Sequence, residues 1–210
     1  MNNKDFLFAS PDINNWMVDR YYYSGGNLRY HTFHIALNYL NQNVRNPLIV
    51  ETGCQREEED LGGGMSTSIF AEFVARYGGR VITCDNNREH LYKARSYCKK
   101  WPQAQVTFVE HDSVGFLRDL KEAPHLLYLD SLDYPVGTDE GNVKMQKAAQ
   151  QHCYNEFIAC EHVLPDKCLL LIDDNQLPGG GKPAQLKNDL LEKDEWTLLF
   201  DFQASLWIKG

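Results

Sequence analysis

The 210-residue chain has no apolar run approaching the roughly 18 residues that a membrane span needs. Its first residues, MNNKDF, are too polar for a secretory leader. A cytoplasmic protein without membrane contact is therefore expected. Cys-x-x-Cys pairs are also missing. The six cysteines (Cys54, Cys84, Cys98, Cys153, Cys160 and Cys168) are scattered, several of them inside apolar segments. That spacing argues against zinc and for buried, reduced thiols. Positive charge is scarce: 21 Lys and Arg stand against 29 Asp and Glu, a net −8. A broad nucleic-acid-binding surface needs many phosphate-neutralising cations, so no nucleic-acid partner is expected, although a local basic pocket stays open. Neither G-x-x-x-x-G-K-[ST] nor G-x-G-x-x-G occurs. Nucleotide triphosphatases and dinucleotide dehydrogenases are disfavoured accordingly.

What the chain does contain, from Pro47 onward, is an alternation of short β-rich runs and longer helical patterns. PLIVE, RVITCD, VTFVEHD, HLLYLD and CLLLIDDN read as strands. Between them lie STSIFAEFVARYG, NREHLYKARSYCKKW, SVGFLRDL and residues 141–164 as helices, and PAQLKNDLLEK follows the fifth strand. WTLLFDF and ASLWIKG are close enough in sequence to pair as an antiparallel hairpin. Repeated β-α units imply a parallel sheet with helices on both faces. The expected fold is thus α/β: a Rossmann-like, doubly wound, seven-stranded sheet, mostly parallel, ending in an antiparallel hairpin. Residues 1–45 read as a helical, aromatic-rich cap or lid carrying Trp16, Tyr21, Tyr22, Tyr23, Tyr30 and Phe33, and residues 46–210 as the catalytic domain. Packing of that aromatic cluster on the core is its simplest use.

In an open parallel sheet, ligands bind beyond the carboxyl ends of the strands. Here those ends carry Glu51-Thr52-Gly53, Asp85, Asp112, Asp130 and Asp173-Asp174-Asn175. One acid at a strand end is commonplace, but five in register would repel one another unless something binds them. After the first strand, Gly62-Gly63-Gly64-Met65-Ser66-Thr67 leads into a helix whose first N–H groups are free for a ligand. The acidic run Arg56 to Asp60 would repel a diphosphate, and as a solvated loop it needs no function. Asp85 suits a ribose diol, and Asp112-Ser113 suits an adenine edge. An adenosine ligand without phosphates fits this set.

These motifs, in this order, resemble those of the class I S-adenosylmethionine-dependent methyltransferases, over about residues 48–208. The resemblance implies that Glu51, Gly53, Gly64, Ser66, Thr67, Asp85, Asp112 and Ser113 line the S-adenosylmethionine site. An insertion between Gly53 and Gly64 departs from the usual motif. Within that family, HLLYLDSLDY and LLLIDDNQLPGGGK are similar to the divalent-metal-dependent O-methyltransferases of the catechol and caffeoyl-CoA type. That likeness implies Asp130, Asp174 and Asn175 as ligands of Mg²⁺ or Mn²⁺, with Asp173 as an alternative. Such an ion would lower the pKa of a bound hydroxyl.

Relatives of that type carry a lysine base where this chain has Asp133. His152, with Glu156 four residues on and hence on the same helix face, is the other candidate for proton removal. Lys182, Lys144, His31 and His34 are weaker options. The expectation is methylation of a small hydroxylated acceptor, with self-association left open. Metal-independent methylation of nitrogen or of a carboxylate, on a small molecule or peptide, is the alternative within enzymes. A binding module of the same fold without turnover is the alternative outside them.

Overall fold

A computed structural model describes residues 29–58 and 65–210, together with Ile13, Trp16, Met17 and Tyr21. Seven strands form one sheet: β1 (Leu48–Thr52), β2 (Arg80–Asp85), β3 (Val106–Glu110), β4 (Leu126–Leu129), β5 (Leu169–Ile172), β6 (Trp196–Asp201) and β7 (Ser205–Lys209). Their order is β3-β2-β1-β4-β5-β7-β6. The first five are parallel, while β7 runs antiparallel to both β5 and β6. The chain winds outward from β1 in one direction and from β4 in the other. The exits of β1 and β4 are therefore the switch point at which such sheets bind ligands.

The helices are α1 (Arg29–Asn43), α2 (Ser66–Tyr77), α3 (Arg88–Cys98), α4 (Ser113–Arg118), α5 (Glu140–Cys160) and α6 (Ala184–Glu192). Successive strand residues point to opposite faces, and two cores result. On one face Ile49, Val81, Tyr128 and Leu171 pack with Phe33 and Leu37 of α1 and with Phe70 and Phe73 of α2. On the other, Val50, Leu127, Leu170 and Trp207 pack with Cys153 and Phe157 of α5 and with Leu186 and Leu190 of α6. The central strands β1, β4 and β5 are buried along their whole length, which explains why they read as unbroken apolar runs.

The helix expected over 141–164 stops at Cys160 and finishes as a 3-10 turn, Glu161–Val163. Leu164 precedes Pro165, whose ring disfavours the α conformation in the residue before it. Of the aromatic segment, Trp16, Tyr21, Tyr30 and Phe33 are buried in the α1–α2 core. The Tyr21 hydroxyl donates to Glu72 Oε2 at 3.3 Å. Tyr22, Tyr23 and the adjoining glycines lie outside the described residues. All six cysteines are free and buried, as their settings implied. Among the described residues no helix is long and apolar enough to cross a membrane.

Candidate functional site

At the exit of β1 the chain turns on Gly53, whose φ is +77°. A Cβ there would lie 2.3 Å from the Asp130 carbonyl oxygen, so only glycine lets the exits of β1 and β4 touch. The Asp130 N–H donates to Thr52 O at 3.0 Å and completes that contact. Glu51 is fully buried, and its Oε2 accepts from the Thr67 hydroxyl at 2.8 Å. Thr67 in turn accepts from the Gln55 N–H at 2.9 Å, and Gln55 Oε1 accepts from the Ser68 N–H at 3.2 Å. The loop after β1 is thus stitched to the first turn of α2, with Glu51 beneath it. Burial pushes the Glu51 carboxyl up to about 7, only partly offset by Ser66, Thr83 and Thr67. Gly64, the remaining glycine assigned to this loop, lies outside the described residues.

Asp85, at the exit of β2, is held by main-chain donors. Its Oδ1 accepts from the Asn87 N–H at 2.7 Å and its Oδ2 from the Cys54 N–H at 3.2 Å. The Cys54 thiol donates to the same Oδ2 at 3.4 Å, and since a carboxylate offers about four acceptor positions, Oδ1 keeps one open to a ribose hydroxyl. Asp112 is exposed and caps α4, accepting from the Gly115 N–H at 2.8 Å. Ser113 is buried, and its hydroxyl lies 3.0 Å from His152 Nε2. The same nitrogen is 2.9 Å from the Ser131 hydroxyl, so His152 bridges the exits of β3 and β4. Behind it, Glu156 is fully buried with its Oε1 3.8 Å from His152 Nε2. Burial raises the Glu156 carboxyl above its ordinary range, opposed by His152 and by the hydroxyls of Ser113, Ser131 and Thr52. The i,i+4 pair expected from the sequence is therefore present, engaged in a polar cluster on the α5 face of the sheet.

The exits of β4 and β5 are denser in charge. Lys182 Nζ lies 2.5 Å from Asp130 Oδ1 and 3.3 Å from Asp174 Oδ2, with its side chain only 2% exposed. Arg29, at the start of α1, reaches Asp173 Oδ2 at 3.2 Å and Asp174 Oδ1 at 3.9 Å. The Tyr128 hydroxyl is 2.8 Å from Asp173 Oδ2 and 3.0 Å from Asp130 Oδ2, and its single proton serves one of them at a time. Burial raises the Asp130 carboxyl to about 6, against the pull of Lys182. Burial alone would lower the Lys182 ammonium, but Asp130 and Asp174 together hold it above its ordinary value. Asp174 has a φ of +51°, a conformation aspartate tolerates better than most residues and one that recurs at functional sites.

The three residues assigned to a divalent ion are not gathered around one position. Asn175 donates from Nδ2 to Asp201 Oδ1 at 2.7 Å and to Phe202 O at 2.5 Å, at the β6–β7 hairpin, and its Oδ1 is buried without a hydrogen-bond partner among the described residues. The space between Asp130 and Asp174 is spanned by the Lys182 ammonium. Among the described residues, no group of three or more His, Cys, Asp or Glu is arranged to hold a metal. The oxygen-ligand set expected for Mg²⁺ or Mn²⁺ thus does not fit this arrangement. Asp133 also stands apart, its side chain 74% exposed and paired through both oxygens with Arg56 at 2.9 Å. The sequence weighed Lys182 only as a weak base, and Arg29, Tyr128 and Gln55 not at all. The GGGK run was the one available signal, since three glycines in a row imply a chain forced back on itself.

No protein-family model matches the chain, and no curated protein matches it in sequence. Solved structures do. A methyltransferase from Geobacter sulfurreducens superposes with a TM-score of 0.58 at 13% identity, over 98% of this chain and 92% of that one. The Podospora anserina methyltransferase PaMTH1, solved with SAH bound, gives 0.55 at 13% identity, over 99% and 92%. An rRNA methylase from Streptococcus thermophilus gives 0.54 at 12% identity, over 85% and 96%. The sheet is the Rossmann-like methyltransferase fold. At these identities the likeness speaks for the fold, and the chemistry has to come from the site.

Proposed function

We propose that the protein is an S-adenosylmethionine-dependent methyltransferase acting on a small molecule. The observation that carries this reading is the switch-point exit of β1, where Gly53 lets the ends of β1 and β4 meet while both carboxylate oxygens of Asp85, at the next strand exit, are preset by main-chain donors. When bound, the cofactor supplies an electrophilic methyl group on a sulfonium. Asp85 accepts a ribose hydroxyl, and the Asp112-Ser113 turn borders the adenine. Acids along the strand exits favour the sulfonium's positive charge over a phosphate-bearing ligand.

The acceptor then lies over β4 and β5, where Asp130 and Asp174 orient its nucleophilic hydroxyl or amine for in-line attack. Holding both reactants in that geometry supplies much of the rate. Three carboxylates (Asp130, Asp173, Asp174) face two cations (Arg29, Lys182), a local charge of 2 − 3 = −1. That balance suits a neutral or cationic acceptor group. A nucleic-acid acceptor, suggested by the rRNA methylase likeness, would bring phosphates to an acidic edge on a chain of net charge −8, so a small molecule is preferred.

Calorimetric titration of S-adenosylhomocysteine into the wild-type protein and into Asp85→Ala tests the reading. Charge-assisted hydrogen bonds contribute about 1.5–3 kcal/mol, so the variant should bind roughly 10- to 100-fold more weakly with its melting temperature little changed. Absence of binding to the wild type would refute the proposal, and equal affinity would refute the role of Asp85.

A further inference from the structure

We propose that Lys182 is the resident cation of the acceptor site, filling the position between Asp130 and Asp174 that a divalent ion takes in metal-dependent O-methyltransferases. The ammonium lies at 2.5 and 3.3 Å from the two carboxylates and is almost entirely enclosed. Buried charges persist only when paired and hydrogen-bonded. The ammonium donates a charge-assisted hydrogen bond to Asp130 and forms an ion pair with Asp174, so each acid already has one oxygen engaged by a cation.

The loop that brings Lys182 there is built for the purpose. After β5 the chain leaves through Asp174 and returns through Gly179, Gly180 and Gly181, all at positive φ. A Cβ on Gly181 would lie 2.0 Å from Asp174 O, so no side chain fits where the loop closes. The closure is sealed when the Lys182 N–H donates to Asp174 O at 3.0 Å. Gln150 of α5 reaches the carbonyls of Gly179 and Gly181 at 3.0 and 3.1 Å, and the Tyr134 hydroxyl donates to Pro178 O at 2.6 Å. Two segments distant in sequence thus clamp the return strand of the loop. Backbone geometry thus fixes where the Lys182 side chain starts, and its enclosure, with 2% exposed, directs the ammonium to the acids.

Asn175 supplies the second argument. Its amide nitrogen donates to Asp201 Oδ1 and Phe202 O, two acceptors that fix which end of the amide is oxygen and tie the side chain to the β6–β7 hairpin, while its Oδ1 is buried without a hydrogen-bond partner among the described residues. Charge supplies the third. With Arg29 and Lys182 in place, a divalent ion would turn the cluster from −1 to +1, so the two acids offer it less attraction than they would without the lysine. The proposal concerns only the acids and Lys182, so it stands or falls apart from cofactor binding.

Mn²⁺ titrated calorimetrically into the full-length wild type, into Lys182→Met and into Asp130→Asn tests it, with S-adenosylhomocysteine affinity followed in EDTA and in Mn²⁺. Methionine keeps most of the buried stem and removes the charge. The wild type should show no Mn²⁺ site tighter than about 1 mM, and Lys182→Met should gain affinity by about tenfold or more as the two acids lose their counter-charge. S-adenosylhomocysteine affinity in the wild type should be the same in EDTA and in Mn²⁺. A stoichiometric, micromolar Mn²⁺ site in the wild type that Asp130→Asn removes would overturn the proposal. So would a folded Lys182→Met variant with no gain. Should that variant fail to fold, the wild-type titration decides alone. Failure of S-adenosylhomocysteine to bind would sink the methyltransferase reading and leave the Mn²⁺ result standing.

Discussion

At the exits of β2 and β3, Asp85 and Asp112 are held by the amides of Asn87 and Gly115, two and three residues further on, and Asp85 also by Cys54. At the exits of β4 and β5, Asp173 keeps one such bond, from the Asp174 N–H, but Asp130, Asp173 and Asp174 are held mainly by the side chains of Lys182, Arg29 and Tyr128. Arg29 lies more than a hundred residues away from all three in sequence. A carboxylate bonded to its own turn is positioned as soon as the turn forms. A buried cluster of charged side chains is positioned only when the whole molecule is assembled, and losing one partner leaves an uncompensated charge. On the function proposed above, the first half binds the cofactor and the second the acceptor.

The two halves touch at Gly53, and breaking that contact should have the largest effect. Gly53→Ala places a methyl group 2.3 Å from Asp130 O at a φ of +77°. Left-handed strain and a backbone clash together should cost at least about 3 kcal/mol. Chemical denaturation should show that loss, and S-adenosylhomocysteine binding should fall with it, because the loop after β1 is displaced. An alanine variant of ordinary stability and affinity would mean that the halves do not need this close approach.

The next effect sharpens the cofactor half alone. Burial raises the Glu51 carboxyl from 4.5 to about 7. Below about pH 4.5 the group is protonated in both folded and unfolded chains and carries no penalty. Between about pH 4.5 and about 7 the unfolded chain ionises the group while the folded chain keeps its proton, so stability is lost over that window and the loss is complete once the buried group ionises. At about 1.4 kcal/mol per pH unit the loss is about 3 kcal/mol. Glu51→Gln keeps an acceptor for Thr67 and abolishes the titration. The variant should therefore exceed the wild type in unfolding free energy at pH 8 and approach it at pH 4.5. A gap that does not change with pH would show that Glu51 is ionised without cost.

The same contrast explains what the sequence made legible. Fold and strand exits could be read because the signals are local: apolar runs of β-rich residues, a glycine at a turn, an acid at a strand end. Asp85 and Asp112 stand where the spacing put them for that reason. The ion cluster could not be read in the same way. Tyr128 sits two residues before Asp130 and looks like any inward strand residue. Arg29 lies in a segment with no motif. Lys182 follows a glycine run that announces a turn without saying where the turn leads. The ligand set of Asp130, Asp174 and Asn175 was read from adjacency in sequence, which does not fix direction after a left-handed residue. With Asp174 at φ +51°, Asn175 turns toward the β6–β7 hairpin and Lys182 comes back in its stead.

The smallest expected effect lies on the outer rim, where Arg56 of the cofactor half pairs with Asp133 of the acceptor half. By position Asp133 replaces a lysine base, so a catalytic part for it had a rationale. Its geometry argues otherwise: the side chain is 74% exposed, and both oxygens are engaged by Arg56. The Arg56 guanidinium holds its carboxyl below the usual range, which makes it a poorer base still. Exposed ion pairs contribute about 0–1 kcal/mol, screened further by salt. Asp133→Asn should thus change unfolding free energy by less than about 1 kcal/mol, and the change should shrink as ionic strength rises. S-adenosylhomocysteine affinity should stay within about twofold, since the cofactor half carries its own main-chain contacts. Once an acceptor is identified, a fall in turnover of about 100-fold or more in Asp133→Asn, with cofactor affinity intact, would return this residue to the proton-transfer path. The two halves would then share a catalytic group across their rim.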